Sequence, residues 1–362
     1  MQIKEIFHTQ FAHPDFRCSI FPGAAKLSDG SIIMLFVAGD EFESADQKVF
    51  KARSLDNGRT WTLEGELYDY SKLDFEFPFT DCLKPTLLDD GTLIAAGYGF
   101  LRDRPDMNLS GYAEKFGHFP PSYNHTVRSS DNGRSWTAPE FIRHEYIGME
   151  ISGPALKLAN GETRFFAAPF GLSESGQKGL CFAGGTAGKN WHEISTFFDG
   201  GSIAPWEVRS CQMDSGRIVL VLWAFDLAVQ KHLPNKLVYS DDNGQTWSQA
   251  IDTQLPGQAA NLMPCGEKLL LLQTRREGEN CGLYLHELEF DGPGIKVLNS
   301  ACVMDADNLA SAEGRIEKQF CSLKFGQPSL LKIAGNNYLM FYWQAVEDIY
   351  KIHIHQLEIN CQ

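Results

Sequence analysis

The octapeptide Ser-Ser-Asp-Asn-Gly-Arg-Ser-Trp at residues 129–136 is the strongest indication of architecture in this sequence. Near-identical copies lie at residues 54–61 (Ser-Leu-Asp-Asn-Gly-Arg-Thr-Trp) and 240–247 (Ser-Asp-Asp-Asn-Gly-Gln-Thr-Trp), and a degenerate copy lies at 184–191. The Asp and Asn side chains of such a pattern bond to the backbone of a tight turn, Gly supplies a positive φ, and Trp anchors the turn in the adjoining core. The copies therefore predict a repeated turn between β-strands.

A second type of turn precedes each copy of the octapeptide. It also occurs in the units of the chain that lack the octapeptide. From Gly30 to Gly335 is 305 residues, a mean of 61 over five intervals. The turn glycines, each near a hydrophobic run, are Gly30, Gly91, Gly161, Gly216, Gly266 and Gly335. Six units of four short antiparallel strands predict an all-β chain that forms a six-bladed β-propeller, with residues 1–362 as one domain. We expect the first strand, near residues 3–8, to complete the last blade beside residues 349–359, which leaves no open sheet edge.

Composition excludes several classes of protein. Of 362 residues, 43% are hydrophobic and 22% are charged, which is enough to build a core. Lys plus Arg number 32 against 46 Asp plus Glu, a net charge of −14, so nucleic acid is not an expected partner. The sequence has no apolar run long enough to span a membrane and no signal peptide, so we expect no membrane partner and a cytoplasmic location. A secreted protein whose signal has been removed would look the same.

Nine cysteines are scattered along the chain without a Cys-x-x-Cys pair. This spacing argues against a disulfide framework and a zinc knuckle, and we expect buried thiols. His353 and His355 alternate on one predicted strand. We interpret them as exposed or core residues rather than metal ligands, and we expect neither a metal nor a cofactor.

The octapeptide resembles the Asp-box, or BNR repeat, of the sialidase (neuraminidase) superfamily, and with six predicted blades the resemblance covers essentially the full length. It implies a pocket for an acidic saccharide. Because Asp-boxes also occur in propellers that only bind ligands, the motif indicates architecture more strongly than chemistry.

Strand direction predicts which face of the propeller carries the site. Both repeated turns fall on one face, so the starts of the first strands and the loops after the second strands share the other. The distance from turn Gly to Trp is 45 residues in the second unit (Gly91 to Trp136) and 31 in the first (Gly30 to Trp61), which indicates an insertion of 14 residues. It falls within residues 101–124, and we expect it to overhang the pocket as a flap.

Basic residues concentrate on this predicted face although the chain is acidic. Guanidinium groups hold carboxylates with paired hydrogen bonds, so the set suits an anionic sugar. Its members are Arg17, Lys84, Arg102, Arg209, Arg275 and Arg276. We also expect His118, in the flap, to contact substrate.

The resemblance also implies roles for particular residues. Sialidases use three Arg, a Tyr nucleophile activated by a Glu, and an Asp acid. Glu207 matches the activating Glu. Asp40, Glu41 or Asp46 lies in the loop that carries the acid. Arg275 or Arg276 matches one of the three Arg residues.

Three departures from the family pattern stand beside these matches. The residue nearest to the first family Arg is Arg17, which comes three positions too early. Trp223 occupies the position of the second Arg, and Gln327 occupies that of the Tyr. Trp223 and Gln327 therefore enter the candidate list as substrate-binding residues.

Three functions remain open from sequence. The first is an exo-acting glycosidase that releases a terminal acidic sugar of the sialic or uronic acid type, with Glu207 as base or activator. The second is a lyase on a uronic-acid glycoside, in which His125, His118 or Tyr123 removes a proton beside the carboxylate. The third is a propeller that binds glycans without catalysis.

Overall fold

The computed structural model describes residues 1–146 and 148–361, whose strands form antiparallel sheets of four or five strands, two of which are continuous with each other. Strand β1 (Gln2–Phe11) belongs to the last sheet. Sheet 1 contains β2 (Cys18–Lys26), β3 (Ile32–Gly39), β4 (Lys48–Ser54) and β5 (Thr62–Glu66). Sheet 2 contains β6 (Phe79–Leu87), β7 (Leu93–Leu101), β8 (Ser122–Ser129) and β9 (Glu140–Phe141).

Sheet 3 contains β10 (Met149–Glu150), β11 (Leu156–Lys157), β12 (Thr163–Pro169), β13 (Lys178–Gly185) and β14 (His192–Asp199). Because β10 and β11 both pair with β12, they act as one interrupted first strand. Sheet 4 contains β15 (Ile203–Gln212), β16 (Ile218–Asp226), β17 (Lys231–His232), β18 (Lys236–Ser240) and β19 (Ile251–Asp252). Sheet 5 contains β20 (Ala260–Cys265), β21 (Lys268–Arg275), β22 (Gly282–Asp291) and β23 (Gly294–Asp305).

Sheet 6 contains β24 (Phe325–Ala334), β25 (Asn337–Val346), β26 (Ile349–Asn360) and β1. Strand β1 pairs antiparallel with β26 from Gln2–Asn360 to Phe11–Ile352, as predicted. Sheets 1 and 6 are continuous through a single parallel bridge between Cys18 and Tyr350.

Two short α-helices depart from the all-strand expectation. Helix α1 (Leu109–Phe116) lies in the insertion of sheet 2, and α2 (Ile316–Phe320) lies between sheets 5 and 6. The side chain of Asn108 caps α1 by accepting from Gly111, and Gly117 ends the helix at a φ of 76°. Two 3-10 turns are at Tyr70–Lys72 and Asp307–Leu309. No helix in the described part of the chain is long and apolar enough to cross a membrane.

Each of the three Asp-boxes connects the last two strands of its sheet, as predicted. These strands are β4 and β5 in sheet 1, β8 and β9 in sheet 2, and β18 and β19 in sheet 4. In the second copy, Ser129 Oγ accepts from Gly133 N at 2.9 Å and Asp131 Oδ1 accepts from Ser135 N at 2.9 Å. Trp136 Nε1 donates to Gly133 O at 3.0 Å. Residues 54–61 repeat these bonds, which shows that the motif closes its own turn and inserts the Trp beside the core.

Hydrophobic clusters fill the spaces between neighbouring sheets. Met34 and Phe36 of sheet 1 pack with Leu339 and Phe341 of sheet 6, and similar clusters join sheets 2 and 3, 3 and 4, 4 and 5, and 5 and 6. Burial of these side chains is the main stabilising term of the fold. The first strand of each sheet also contacts the next sheet, and β24 of the last sheet contacts β2 of the first.

Cysteine pairing departs from expectation at one place. Cys265, at the end of β20, forms a disulfide with Cys361, which follows β26. The spacing of the cysteines does not indicate this pair, because the two residues are 96 positions apart and meet only in the folded chain. The other cysteines are free thiols, and five of them are buried as expected.

Candidate functional site

A cavity opens among the starts of the first strands and the loops that follow the second strands. This is the face on which the sequence predicts a site. Aromatic side chains make up much of its wall, an arrangement suited to the apolar faces of a sugar ring. They are Phe21, Tyr98, Phe100, Phe119, Phe170, Trp206, Trp223, Phe320 and Trp343.

Three β-bulges aim side chains into this cavity. Phe21 in β2, Glu207 in β15 and Gln327 in β24 each lie at a register shift and have φ values of 54°, 45° and 45°. Such a conformation costs a non-glycine residue about 1–3 kcal/mol and persists where the surrounding structure enforces it. All three residues line the cavity. The bulges therefore re-aim first-strand side chains that regular alternation would place elsewhere.

Lys84 supports two of the bulges from below. Its Nζ donates to the carbonyl oxygen of Phe21 and to Gln327 Oε1 at 3.2 Å. Burial lowers the pKa of this ammonium. Lys84 and Arg209 line a smaller adjoining pocket that shares Gln327 with the main cavity. Lys84 thus lies at the base of the site, where it holds the backbone at Phe21.

Buried Glu150 and half-buried Glu207 form a carboxylate pair in the cavity wall. Glu150 Oε2 accepts a hydrogen bond from the backbone N–H of Glu207 at 3.1 Å. Burial, and then the charge of Glu207, raises the pKa of Glu150 to about 7. Glu207 Oε2 is 3.7 Å from Arg209 Nη2. One carboxyl group of the pair therefore holds a proton near neutral pH while the other remains close to a cation.

Arg276 is a buried cation at the cavity wall. Its Nε donates to the carbonyl oxygen of Phe325 at 2.9 Å, and its guanidinium carbon is 5.7 Å from the ring centre of Trp223. Nη1 is buried and has no hydrogen-bond partner among the described residues. Burial lowers the pKa of Arg276 to about 10, an effect that Glu207 opposes. At Gly326 an added Cβ would be only 1.9 Å from Arg276 Nη2, so glycine makes room for this side chain.

Asp81 brings a further carboxylate to the wall. It accepts from the hydroxyls of Tyr68 and Tyr70 and lies 3.0 Å from His125 Nε2. Burial and the Asp81 charge raise the pKa of both tyrosines. His125 is fully buried behind Asp81 and does not line the cavity. The cluster fixes Asp81 in one orientation.

The structure brings some of the predicted residues together. Glu207, Trp223, Arg276 and Gln327 line the cavity, and Lys84 and Arg209 line the pocket beneath it. Arg102 is buried in a different role, because its guanidinium donates to the backbone oxygens of Glu43, Ser44 and Met107. It ties the loop after β3 to the insertion of sheet 2.

Other predicted residues lie outside the cavity. Arg275 precedes Arg276 at the end of β21, and alternation along the strand turns it to the opposite side. The remaining residues sit on loops or strand ends that face solvent, and they are Arg17, Asp40, Glu41, His118 and Tyr123. The insertion expected to form a flap contributes Leu109 and Phe119 to the cavity wall. Its His and Arg residues do not line the cavity.

Sequence reasoning gave no role to several residues that shape the site. The sequence carries no signal that pairs Glu150 with Glu207, because the two are 57 positions apart. Phe320 of α2 and Leu323, which follows it, had no repeat signal because they lie in the connection between two units.

Comparison with known proteins supports the architecture. The BNR/Asp-box repeat family model matches residues 238–249. A protein of unknown function from Dyadobacter fermentans is similar at 18% identity with a TM-score of 0.76, and 99% of each chain is covered. A search of curated protein sequences found no significant match.

Two solved enzymes share the fold at lower identity. Trypanosoma rangeli sialidase, in complex with the inhibitor DANA, has a TM-score of 0.65 at 13% identity, and 94% of this chain covers 55% of that one. Penicillium chrysogenum alpha-L-arabinanase, complexed with arabinobiose, has a TM-score of 0.59 at 13% identity, with 98% of each chain covered. The chain therefore carries a BNR/Asp-box repeat on a fold that it shares with sialidases.

Proposed function

We propose that this protein is an exo-acting glycoside hydrolase that releases a terminal acidic sugar, and that its sheets form the six blades of one propeller around the cavity. The blade arrangement is supported by the contacts between successive sheets and by the contact of β24 with β2. A terminal sugar suits this site because the aromatic wall surrounds a cavity rather than a long groove.

The observation that carries the proposal is the pair formed by buried Glu150 and half-buried Glu207. Hydrolysis of a glycoside commonly uses two carboxyl groups, one as acid and one as base or nucleophile. Glu150, with its pKa raised to about 7, donates a proton to the leaving oxygen as the glycosidic bond breaks. Glu207 takes the proton of the attacking water, whose oxygen bonds to the anomeric carbon. Asp81 lies in the same wall and adds negative charge near the developing cation.

Arg276 supports an anionic substrate. Arg276 lines the cavity, and its buried Nη1 lacks a hydrogen-bond partner among the described residues. A sugar carboxylate would complete its hydrogen bonding, and such charge-assisted bonds are among the stronger polar contacts. Arg209 Nη2, 3.7 Å from Glu207 Oε2, adds a second cation beside that carboxylate.

The test is turnover of fluorogenic glycosides by the full chain. We expect a sialoside or a glucuronide to be cleaved, and an arabinofuranoside to be cleaved poorly. Glu207→Gln should lower kcat by about 10²–10⁴-fold while ligand binding, measured by calorimetry, is retained. Glu41→Gln, an exposed carboxylate outside the cavity, is the control and should leave turnover unchanged.

Three other outcomes would redirect the proposal. Preferred turnover of the arabinofuranoside would refute the acidic substrate. An unsaturated uronide, detected by its ultraviolet absorption, would indicate a lyase. Binding of acidic sugars with no turnover of any glycoside would indicate a glycan-binding propeller.

A further inference from the structure

Three histidines meet where the N-terminal strand joins the C-terminal strand. His8 of β1 lies directly opposite His355 of β26, and His353 is two residues away on the same side of that strand. Their ligand atoms all lie within 4.8 Å of one another. His8 Nε2 is 3.1 Å from His353 Nδ1, and the rings of His8 and His355 stack at 4.1 Å.

The surroundings of the cluster suit lone-pair donors. His353 and His355 are buried, whereas His8 is exposed and leaves a path from solvent. Metal binding requires an imidazole nitrogen that carries a lone pair rather than a proton.

A carboxylate orients one of the rings. Glu5 Oε2 is 2.6 Å from His355 Nδ1, and the Tyr342 hydroxyl is 3.2 Å from His355 Nε2. A carboxylate that accepts from one ring nitrogen fixes the tautomer, an arrangement typical of metal-bound histidine. A metal ion bound at His355 Nε2 would replace the contact of that nitrogen with the Tyr342 hydroxyl.

We propose that His8, His353 and His355 bind a zinc-type divalent ion that links strand β1 to strand β26. Three imidazoles suit Zn²⁺, with water as a fourth ligand. Tetrahedral zinc with Zn–N bonds of about 2.0–2.1 Å holds its nitrogens roughly 3.3 Å apart, close to the His8–His353 separation. His8 is 345 positions from His353, so the spacing of His353 and His355 in the sequence does not indicate a third histidine beside them. The proposal is independent of glycosidase activity.

The experiment is to titrate the chelator-treated full chain with Zn²⁺. Calorimetry measures the binding, and thermal unfolding measures the Tm at each Zn²⁺ concentration. We expect one Zn²⁺ per chain and a Tm that rises with Zn²⁺ concentration, because a ligand that binds the native state stabilises it. Co²⁺ in place of Zn²⁺ should give the visible absorption of a tetrahedral site.

Variants separate this site from adventitious binding. His8→Ala should weaken Zn²⁺ binding at least about 100-fold and leave the metal-free Tm unchanged, since His8 is exposed. Glu5→Gln should weaken binding about 10–100-fold. His192→Ala, an exposed histidine on another sheet, is the control and should bind as the unmodified chain does. Equal binding by His8→Ala, or no binding by the unmodified chain, would show that the cluster is only a hydrogen-bonded histidine group and would overturn the proposal.

Discussion

At the residue scale, the environment of Glu150 determines how its carboxyl group can act. The side chain is removed from water and lies beside the negative charge of Glu207, and both effects disfavour ionisation. Glu207 has an opposite environment, because Arg209 and Arg276 lie near it. Two carboxyl groups of the same kind thus lie in different electrostatic environments, as an acid–base pair requires.

This difference predicts the pH dependence of the proposed hydrolysis. As pH rises through about 7, Glu150 loses its proton and can no longer act as acid, so kcat/KM should fall. In Glu150→Gln, kcat should drop by about 10²–10⁴-fold and the alkaline fall should disappear. A pH–rate profile of both proteins is the measurement. If the alkaline fall persists in Glu150→Gln, another group is the acid.

At the scale of elements, each Asp-box joins its own sheet to the preceding one. A Cβ atom added to the glycine of each Asp-box would lie very close to a side chain of the preceding sheet. The distance would be 2.6 Å from Gly58 to Leu339, 2.4 Å from Gly133 to Ile33, and 3.1 Å from Gly244 to Cys181. Arg53 of sheet 1 also donates to the carbonyl oxygen of Asn132 at 2.8 Å. The repeated turn therefore holds adjacent sheets together as well as closing a hairpin.

Two glycine substitutions test this role of the turn. Gly133 and Gly30 both have positive φ, at 77° and 86°, so alanine strains the backbone at either position. Only at Gly133 does the added methyl group collide with a neighbouring sheet, since nothing lies within 4 Å at Gly30. Gly133→Ala should therefore lower the free energy of unfolding by about 1–3 kcal/mol more than Gly30→Ala. Urea unfolding measures both, and equal losses would contradict the contact.

At the scale of the whole molecule, the two ends of the chain are joined within one sheet. Strand β1 pairs with β26, and β26 carries on to Cys361, which is bonded to Cys265 of sheet 5. Sheet 6 is thus held to its neighbour by a covalent link in addition to its hydrophobic cluster with sheet 5.

Removal of that link should destabilise the chain. A disulfide that closes a long loop restricts the unfolded state, and its loss commonly costs about 2–4 kcal/mol. We expect Cys361→Ser to lower the free energy of unfolding by this amount under non-reducing conditions, measured by thermal or urea unfolding. Cys302→Ser, at an exposed free thiol, is the control. The same stability in both variants would show that the link does not stabilise the native state.

The sequence by itself determined the strands, the turns between them and the pairing of β1 with β26. Those features rest on local chemistry: Asp131 closes its own turn, Gly133 supplies the positive φ and Trp136 bonds within the same eight residues. The face of the cavity and the inclusion of Glu207 followed from strand direction and from the family resemblance.

Only the tertiary structure decided which side chains enter the cavity and which groups meet. A shift of one residue reverses the side on which a strand presents its side chain, so Arg276 reaches the wall and Arg275 does not. The bulge at Glu207 has no sequence signature, and Glu150, His8 and Cys361 find their partners across 57 to 345 positions of chain. Such contacts depend on how distant sheets pack, which the local pattern of residues does not specify.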